Sequence, residues 1–130
     1  MYLLDTNTLI YFFKGIGNVS QNLLSKSPKD IAIPAIALYE LQVGIKKSVN
    51  PQKRKKQLNT LVSRVTISSF GAKEAETAAT IRANLESKGT PIGPYDILIA
   101  GIAISSKSTL VTHNTKEFKR VKNLIVEDWY

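Results

Sequence analysis

Cysteine is absent from the chain, and histidine and tryptophan occur once each. The missing cysteine excludes a disulfide scaffold, a thiolate zinc site and a cysteine nucleophile. It suits a reducing compartment, so a cytoplasmic location is expected. Long apolar runs are missing too. The run Ile97–Ile104 ("ILIAGIAI") is far too short to span a bilayer, and Pro34 and Glu40 break the stretch "IAIPAIALYELQVGI". The apolar start lacks a basic leader and is interrupted by Asp5, so neither a targeting segment nor a membrane partner is expected. Acidic residues are missing from one region, since none lies between Glu40 and Glu74.

That acid-free window holds Lys46, Lys47, Lys53, Arg54, Lys55, Lys56, Arg64 and Lys73. The remaining basic residues balance the ten acids, so the whole excess of +8 sits in one segment. A concentrated positive stretch fits a polyanionic partner such as nucleic acid. The competing explanation is a solvated, lysine-rich helix surface.

What is present describes an ordinary globular domain. The 130 residues are 43% hydrophobic and 22% charged, which allows one domain over 1–130 with a sizeable core. No internal repeat, low-complexity tract or linker divides it. Short aliphatic or β-branched runs predict strands at Tyr2–Leu4, Ile31–Ile33, Val65–Ser68, Thr109–Thr112 and Leu124–Val126. Helical patterns lie between them, at Thr8–Lys14, Asn18–Ser25, Ile36–Lys47, Gln52–Ser63, Ala72–Ser87, Pro94–Ser106 and Thr115–Lys119. Strands alternating with helices imply an α/β domain with a mostly parallel sheet of about five strands and helices on both faces. Such sheets bind ligands at the carboxyl ends of their strands, near a topological switch point.

Four acids stand out against that expectation. Asp5 follows the first apolar run, where it either caps the next helix or serves a site. Glu40 lies mid-helix with Ile36, Ala37, Val43 and Gly44 one turn away. That places a carboxylate on an apolar face, in need of a cation or hydrogen bonds. Asp96 follows "PIGP" at the start of an almost wholly apolar helix, where it complements the helix dipole or lines the inner mouth of the sheet. Glu117 follows the strand "TLVT" and, taken alone, reads as an exposed helix residue. Thr6, Asn7, Thr112 and Asn114 add short polar groups at the same two strand ends. Gathered at one mouth, four carboxylates could not all ionise unaided. A divalent cation resolves the repulsion. Hard oxygen ligands, no cysteine and a lone His113 suit Mg²⁺ or Mn²⁺ rather than zinc. His113 reads as an ordinary loop side chain.

Four stretches in this order resemble the PIN-domain ribonucleases, specifically the VapC toxins of type II toxin–antitoxin systems. They are "YLLDTN", "PAIALYELQVGI" around Glu40, "PIGPYDILIAGIA" around Asp96 and "LVTHNTKEFKRVKNLIVEDW" at the end, spanning nearly the whole chain. The resemblance implies a three-layer α/β/α PIN-like domain and a Mg²⁺-dependent endoribonuclease that cuts RNA such as tRNA or rRNA. Asp5, Glu40 and Asp96 match the family's three near-invariant acids. Glu117 falls where many members carry aspartate, so its longer side chain shifts that ligand or moves it outward. Tyr95 stands where close members often have another polar residue. Asp5 and Asp96 would hold the metal most directly, with Glu40 and Glu117 tuning it. Thr6, Thr112 and Asn114 would orient these groups. Lys46, Lys47, Lys53, Arg54, Lys55 and Lys56 would attract the RNA backbone. The implied partners are a VapB-type antitoxin and a second copy of the chain, in a higher toxin–antitoxin assembly.

Two other readings compete. The segment "LLDTNTLI" superficially matches the strand-end aspartates of haloacid-dehalogenase-like phosphohydrolases, but position 7 is Asn. A non-catalytic RNA-binding module would use the basic segment and keep the acids as helix caps.

Overall fold

Central strands made mostly of apolar residues need cover on both faces, and the architecture supplies it. The computed structural model describes all residues, Met1 to Tyr130. Its strands are β1 (Tyr2–Leu4), β2 (Ile31–Pro34), β3 (Thr66–Ser68), β4 (Thr109–Val111) and β5 (Val126–Glu127). They form one sheet in the order β3-β2-β1-β4-β5, every pair parallel. Helices α1 (Thr6–Lys14) and α2 (Val19–Leu24) join β1 to β2. Helices α3 (Ala35–Lys46) and α4 (Pro51–Val62) join β2 to β3, and α5 (Ala72–Ser87) and α6 (Pro94–Ser105) join β3 to β4. Helix α7 (Thr115–Phe118) precedes β5. Right-handed crossovers put α1–α4 over one face and α5–α7 over the other, giving three layers. The expected α/β/α architecture is therefore present. No helix is long and apolar enough to cross a membrane.

The winding order creates the site. From β1 the chain moves outward through β2 to β3, then crosses back to β4 on the other side of β1. Strands β1 and β4 thus flank the switch point, and it is outside the carboxyl ends of such strands that open α/β sheets bind ligands. Leu4 is in register with Val111, so the next residues, Asp5 and Thr112, emerge side by side.

Helix α6 is the most buried helix. Ile97, Ile99, Ala100, Gly101, Ile102 and Ala103 are all inaccessible or nearly so. Gly101 sets its approach to α5. A Cβ there would lie 2.8 Å from the Ala78 Cβ and 3.1 Å from the Glu74 carbonyl oxygen. Leu3, Leu4, Ile33, Ile99, Leu110 and Phe118 fill the centre of the core.

Element ends differ from the sequence reading in physically simple ways. Helix α1 begins at Thr6 rather than Thr8, because Asp5 caps it and fixes the preceding turn. Strand β5 starts at Val126 rather than Leu124. Asn123 adopts a left-handed φ of 68°, and the resulting turn carries Leu124 out of the ladder. A short 3-10 turn at Pro28–Asp30 was not foreseen. Glu40 sits half-buried at the margin of the apolar face, not within it, since Gly44 one turn on is exposed.

Candidate active site

Asp5 is built into the scaffold. Its backbone N–H donates to the Val111 carbonyl, which extends the β1–β4 ladder by one residue (3.1 Å). Its side chain then caps α1, with Oδ1 accepting from the Thr8 N–H at 2.9 Å. Oδ2 accepts from the Thr112 hydroxyl at 2.6 Å. Only 4% of Asp5 is exposed. Burial pushes its carboxyl above the ordinary range, against the lowering effect of the Thr112 and Thr8 hydrogen bonds, and the Asp128 charge adds to the rise. Asp5 thus caps α1 with one oxygen and holds the end of β4 with the other.

The hydrogen bonds continue around the β4 end. Thr112 Oγ1 also accepts from the Asn114 N–H at 3.0 Å, and Asn114 Nδ2 donates to Glu117 Oε2 at 2.7 Å. One chain of contacts thus links Asp5 to Glu117 through Thr112 and Asn114. On the other side, the Thr6 hydroxyl donates to Glu40 Oε1 at 2.7 Å, tying α1 to α3. Glu40 is thus held by a hydroxyl, not by a lysine ion pair. The two ion pairs of the molecule, Arg82–Glu86 and His113–Asp128, involve none of the four acids.

Asp96 is different. It occupies the first turn of α6, and none of the hydrogen bonds that hold the other acids reaches it. Its carboxyl is pushed up to about 6, first by burial and then by the charges of Asp5, Glu117 and Glu40. The charges of the other three acids therefore converge on Asp96 near the carboxyl ends of β1 and β4. No three of these side chains stand in a finished ion cage. An all-oxygen donor set with a half-buried, unsatisfied carboxylate beside three others fits a hard divalent cation.

Several contributors escaped the sequence reading. Thr8 is buried, gives its N–H to Asp5, and donates its hydroxyl to the Val111 carbonyl at 3.2 Å. The "DTNT" cap pattern carried that signal. Asp128 and Tyr130 left no such trace. His113 Nδ1 lies 3.0 Å from an Asp128 oxygen, and its ring stacks on Tyr130 at a centroid distance of 4.0 Å. The C-terminal segment is pinned in turn by the Asn18 N–H on the Tyr130 carbonyl and by Asn22 Nδ2 on the Trp129 carbonyl at 3.1 Å. Gly17 permits this closeness. It adopts a φ of +66°, and a Cβ there would meet the Tyr130 carbonyl oxygen at 2.6 Å.

The basic residues do not converge on the acids. Lys46, Lys47, Lys53, Lys55 and Lys56 are exposed, and Lys55 and Lys56 point to the outer side of α4 with Asn59 and Thr60. Arg54 alone turns inward. It bonds Gln57 Oε1 at 3.4 Å and lines a cavity of about 340 Å³ that also includes Ile10, Phe13, Lys14, Glu40 and Leu58. The phosphohydrolase alternative lacks its second acid, since Asn7 lies exposed on the first turn of α1.

Comparison with known proteins agrees with this architecture. A family model described as the PIN domain matches residues 2–124. Ribonuclease VapC2 of Rickettsia felis is 42% identical over 131 residues, covering 99% of this chain and 98% of the relative. The tRNA(fMet)-specific endonuclease VapC of Salmonella typhimurium is 35% identical over 128 residues, covering 98% of this chain and 97% of its own length. The solved structure of VapBC2 from Rickettsia felis, bound to a DNA fragment from their promoter, superposes with a TM-score of 0.89 at 42% identity. That match covers 99% of this chain and 98% of that one. The strand order, the acids at the switch point and these similarities lead to one conclusion: the chain belongs to the PIN-domain family, as a VapC-type toxin ribonuclease.

Proposed function

We propose that this chain is a divalent-metal-dependent endoribonuclease that hydrolyses phosphodiester bonds of tRNA or rRNA and is neutralised by a VapB-type antitoxin. The observation that carries the metal dependence is Asp96, half-buried without a hydrogen bond and pushed up to about 6 by burial and three neighbouring carboxylates. Asp5 and Asp96 would hold Mg²⁺ most directly, with Glu40 and Glu117 beside them and Mn²⁺ as an alternative ion. Bound there, the ion would polarise the phosphodiester and lower the pKa of a water.

The chain's own residues prepare that chemistry. Thr112 and Thr8 fix both oxygens of Asp5, so its direction is set before any ligand arrives. Thr6 and Asn114 orient Glu40 and Glu117 in the same way. Asp96 is ionised above pH 6 and ready for a cation at neutral pH. The exposed lysines of α3 and α4 attract the RNA backbone from the flank, with a steep salt dependence. Reversing Lys53, Arg54, Lys55 and Lys56 to glutamate should weaken RNA binding and flatten that dependence. Unchanged affinity at low salt would refute the assignment.

The VapBC2 complex of Rickettsia felis supports the antitoxin partner. Four acids without a basic partner form a socket for an antitoxin arginine. A homodimer is expected through exposed apolar residues of the early helices, such as Leu24 on α2. Light scattering that finds only monomer at micromolar concentration counts against it.

The decisive test supplies RNA to the purified protein with Mg²⁺ or with excess chelator. Cleavage should require the ion and be lost in Asp5→Asn and Asp96→Asn. Expression of the wild type, but not of Asp5→Asn, should arrest growth. Cleavage that survives chelation ends this reading.

A further inference from the structure

Two large, exposed aromatic side chains adjoin the acids. Tyr39 immediately precedes Glu40 on α3, and Tyr95 immediately precedes Asp96 on α6. They are 54% and 43% exposed, so neither serves the core. Their ring centroids lie 5.9 Å apart with an interplanar angle of 69°, an edge-to-face pair bridging the two helices. The pair spans the two helices that carry Glu40 and Asp96, with one tyrosine next to each acid.

The charge distribution says what such a pair is for. An RNA strand that presents a phosphate to four carboxylates meets repulsion, and no basic side chain is paired with any of them. The lysines that attract RNA lie on the flank, on α3 and α4. Arg54 and Lys14 reach only the Glu40 side, where they share a cavity with it, so a neutral surface beside Asp96 would hold the substrate without relying on charge. Aromatic rings do this for nucleic acids by stacking on unstacked bases. The backbone of each tyrosine is one residue, about 3.8 Å between Cα atoms, from that of an acid of the site.

We propose that Tyr39 and Tyr95 form a base-stacking subsite that takes one unstacked nucleobase of the RNA beside the scissile phosphate. The proposal rests on the endoribonuclease reading and adds its positioning device. Stacking tolerates any base, so this subsite selects for an unpaired nucleotide rather than for a sequence. The phenol hydroxyls are dispensable to it, whereas the rings are not.

The test uses the full chain and a synthetic RNA hairpin with a seven-nucleotide loop, carrying 2-aminopurine at each loop position in turn. With chelator present, the wild type should change the fluorescence of one loop position. The double variant Tyr39→Phe/Tyr95→Phe should do the same, and Tyr39→Ala/Tyr95→Ala should not. In Mg²⁺, the double alanine variant should raise KM for loop cleavage roughly 10- to 100-fold, with kcat within a few-fold of wild type. The single variant Tyr95→Ala, checked by thermal melting, should fall between. Wild-type cleavage with unchanged fluorescence and KM in the alanine variants overturns the subsite and leaves the nuclease standing. Alanine variants that cut RNA normally but lose only antitoxin binding also overturn it. A wild type that neither binds nor cuts RNA removes the nuclease reading, and the subsite with it.

Discussion

The two sides of the acidic mouth are built by opposite means. On the strand side, Asp5 and Glu117 are locked by Thr8, Thr112 and Asn114, and little freedom remains. On the helix side, Asp96 stands with no hydrogen bond to direct it, next to the exposed Tyr39–Tyr95 pair. Strand ends are natural places for rigidity, because the ladder itself supplies backbone donors and fixed register. Helix starts can leave a carboxylate facing open space. One side of the mouth is therefore held by hydrogen bonds, and Asp96 on the other side is not.

Thr112→Val breaks this contrast most directly. It removes the hydroxyl that donates to Asp5 and accepts from Asn114, and it leaves the size of the side chain unchanged. Losing a supporting contact of this kind costs roughly 10–100-fold in activity, so RNA cleavage rates should drop by that factor. Thr6→Val should cost less, since it frees only Glu40 at the margin. Equal, negligible losses for both would mean that the strand side is not pre-organised by hydrogen bonds.

Gly101→Ala probes the helix side through packing. The added methyl collides with Ala78 and the Glu74 carbonyl, so α6 must move away from α5. Overpacking of this kind costs about 1–3 kcal/mol, which chemical denaturation will measure. The shift displaces Asp96 while the Asp5–Thr112 contact stays intact. A fully stable variant would show that α5 and α6 can slide freely.

The smallest effect concerns pH. In the metal-free protein, folding raises Asp96 from its ordinary 3.8 to about 6. Between those values the folded state holds a proton that the unfolded state releases, so stability falls as pH rises from about 4 to 6 and then levels off. Burial moves Asp5 in the same direction. Asp96→Asn removes its share of the slope. It should be more stable than wild type at pH 7.5 by on the order of 1 kcal/mol, after allowing for solvent screening of a half-exposed group. The two proteins should converge near pH 4. A variant less stable than wild type at pH 7.5 would mean that Asp96 has a partner.

The contrast also explains what the sequence could reveal. The parallel layered fold was readable because apolar runs alternate with helical periodicity and with punctuation such as Gly71, Gly89 and Pro94. Asp5 and Asp96 were readable because acids next to buried elements are costly, and the family resemblance sharpened that reading. The half-buried edge position of Glu40 was not, because helical spacing cannot say where an apolar face ends. Nor was the contribution of Asp128 and Tyr130. Their contacts with His113, Asn18 and Gly17 join the chain terminus to a distant loop and depend on tertiary closure. The basic segment was legible as charge but not as geometry. Only the helix phase of α4 separates inward Arg54 from outward Lys55 and Lys56.

If a divalent ion completes the surroundings of Asp96, calorimetric titration of Mn²⁺ into wild type and Asp96→Asn at pH 7.5 will show it without reference to activity. Wild type should bind, with affinity at least tenfold above that of the variant and falling about tenfold per pH unit below 6. Equal affinity in the two proteins, or no binding by wild type, would contradict it.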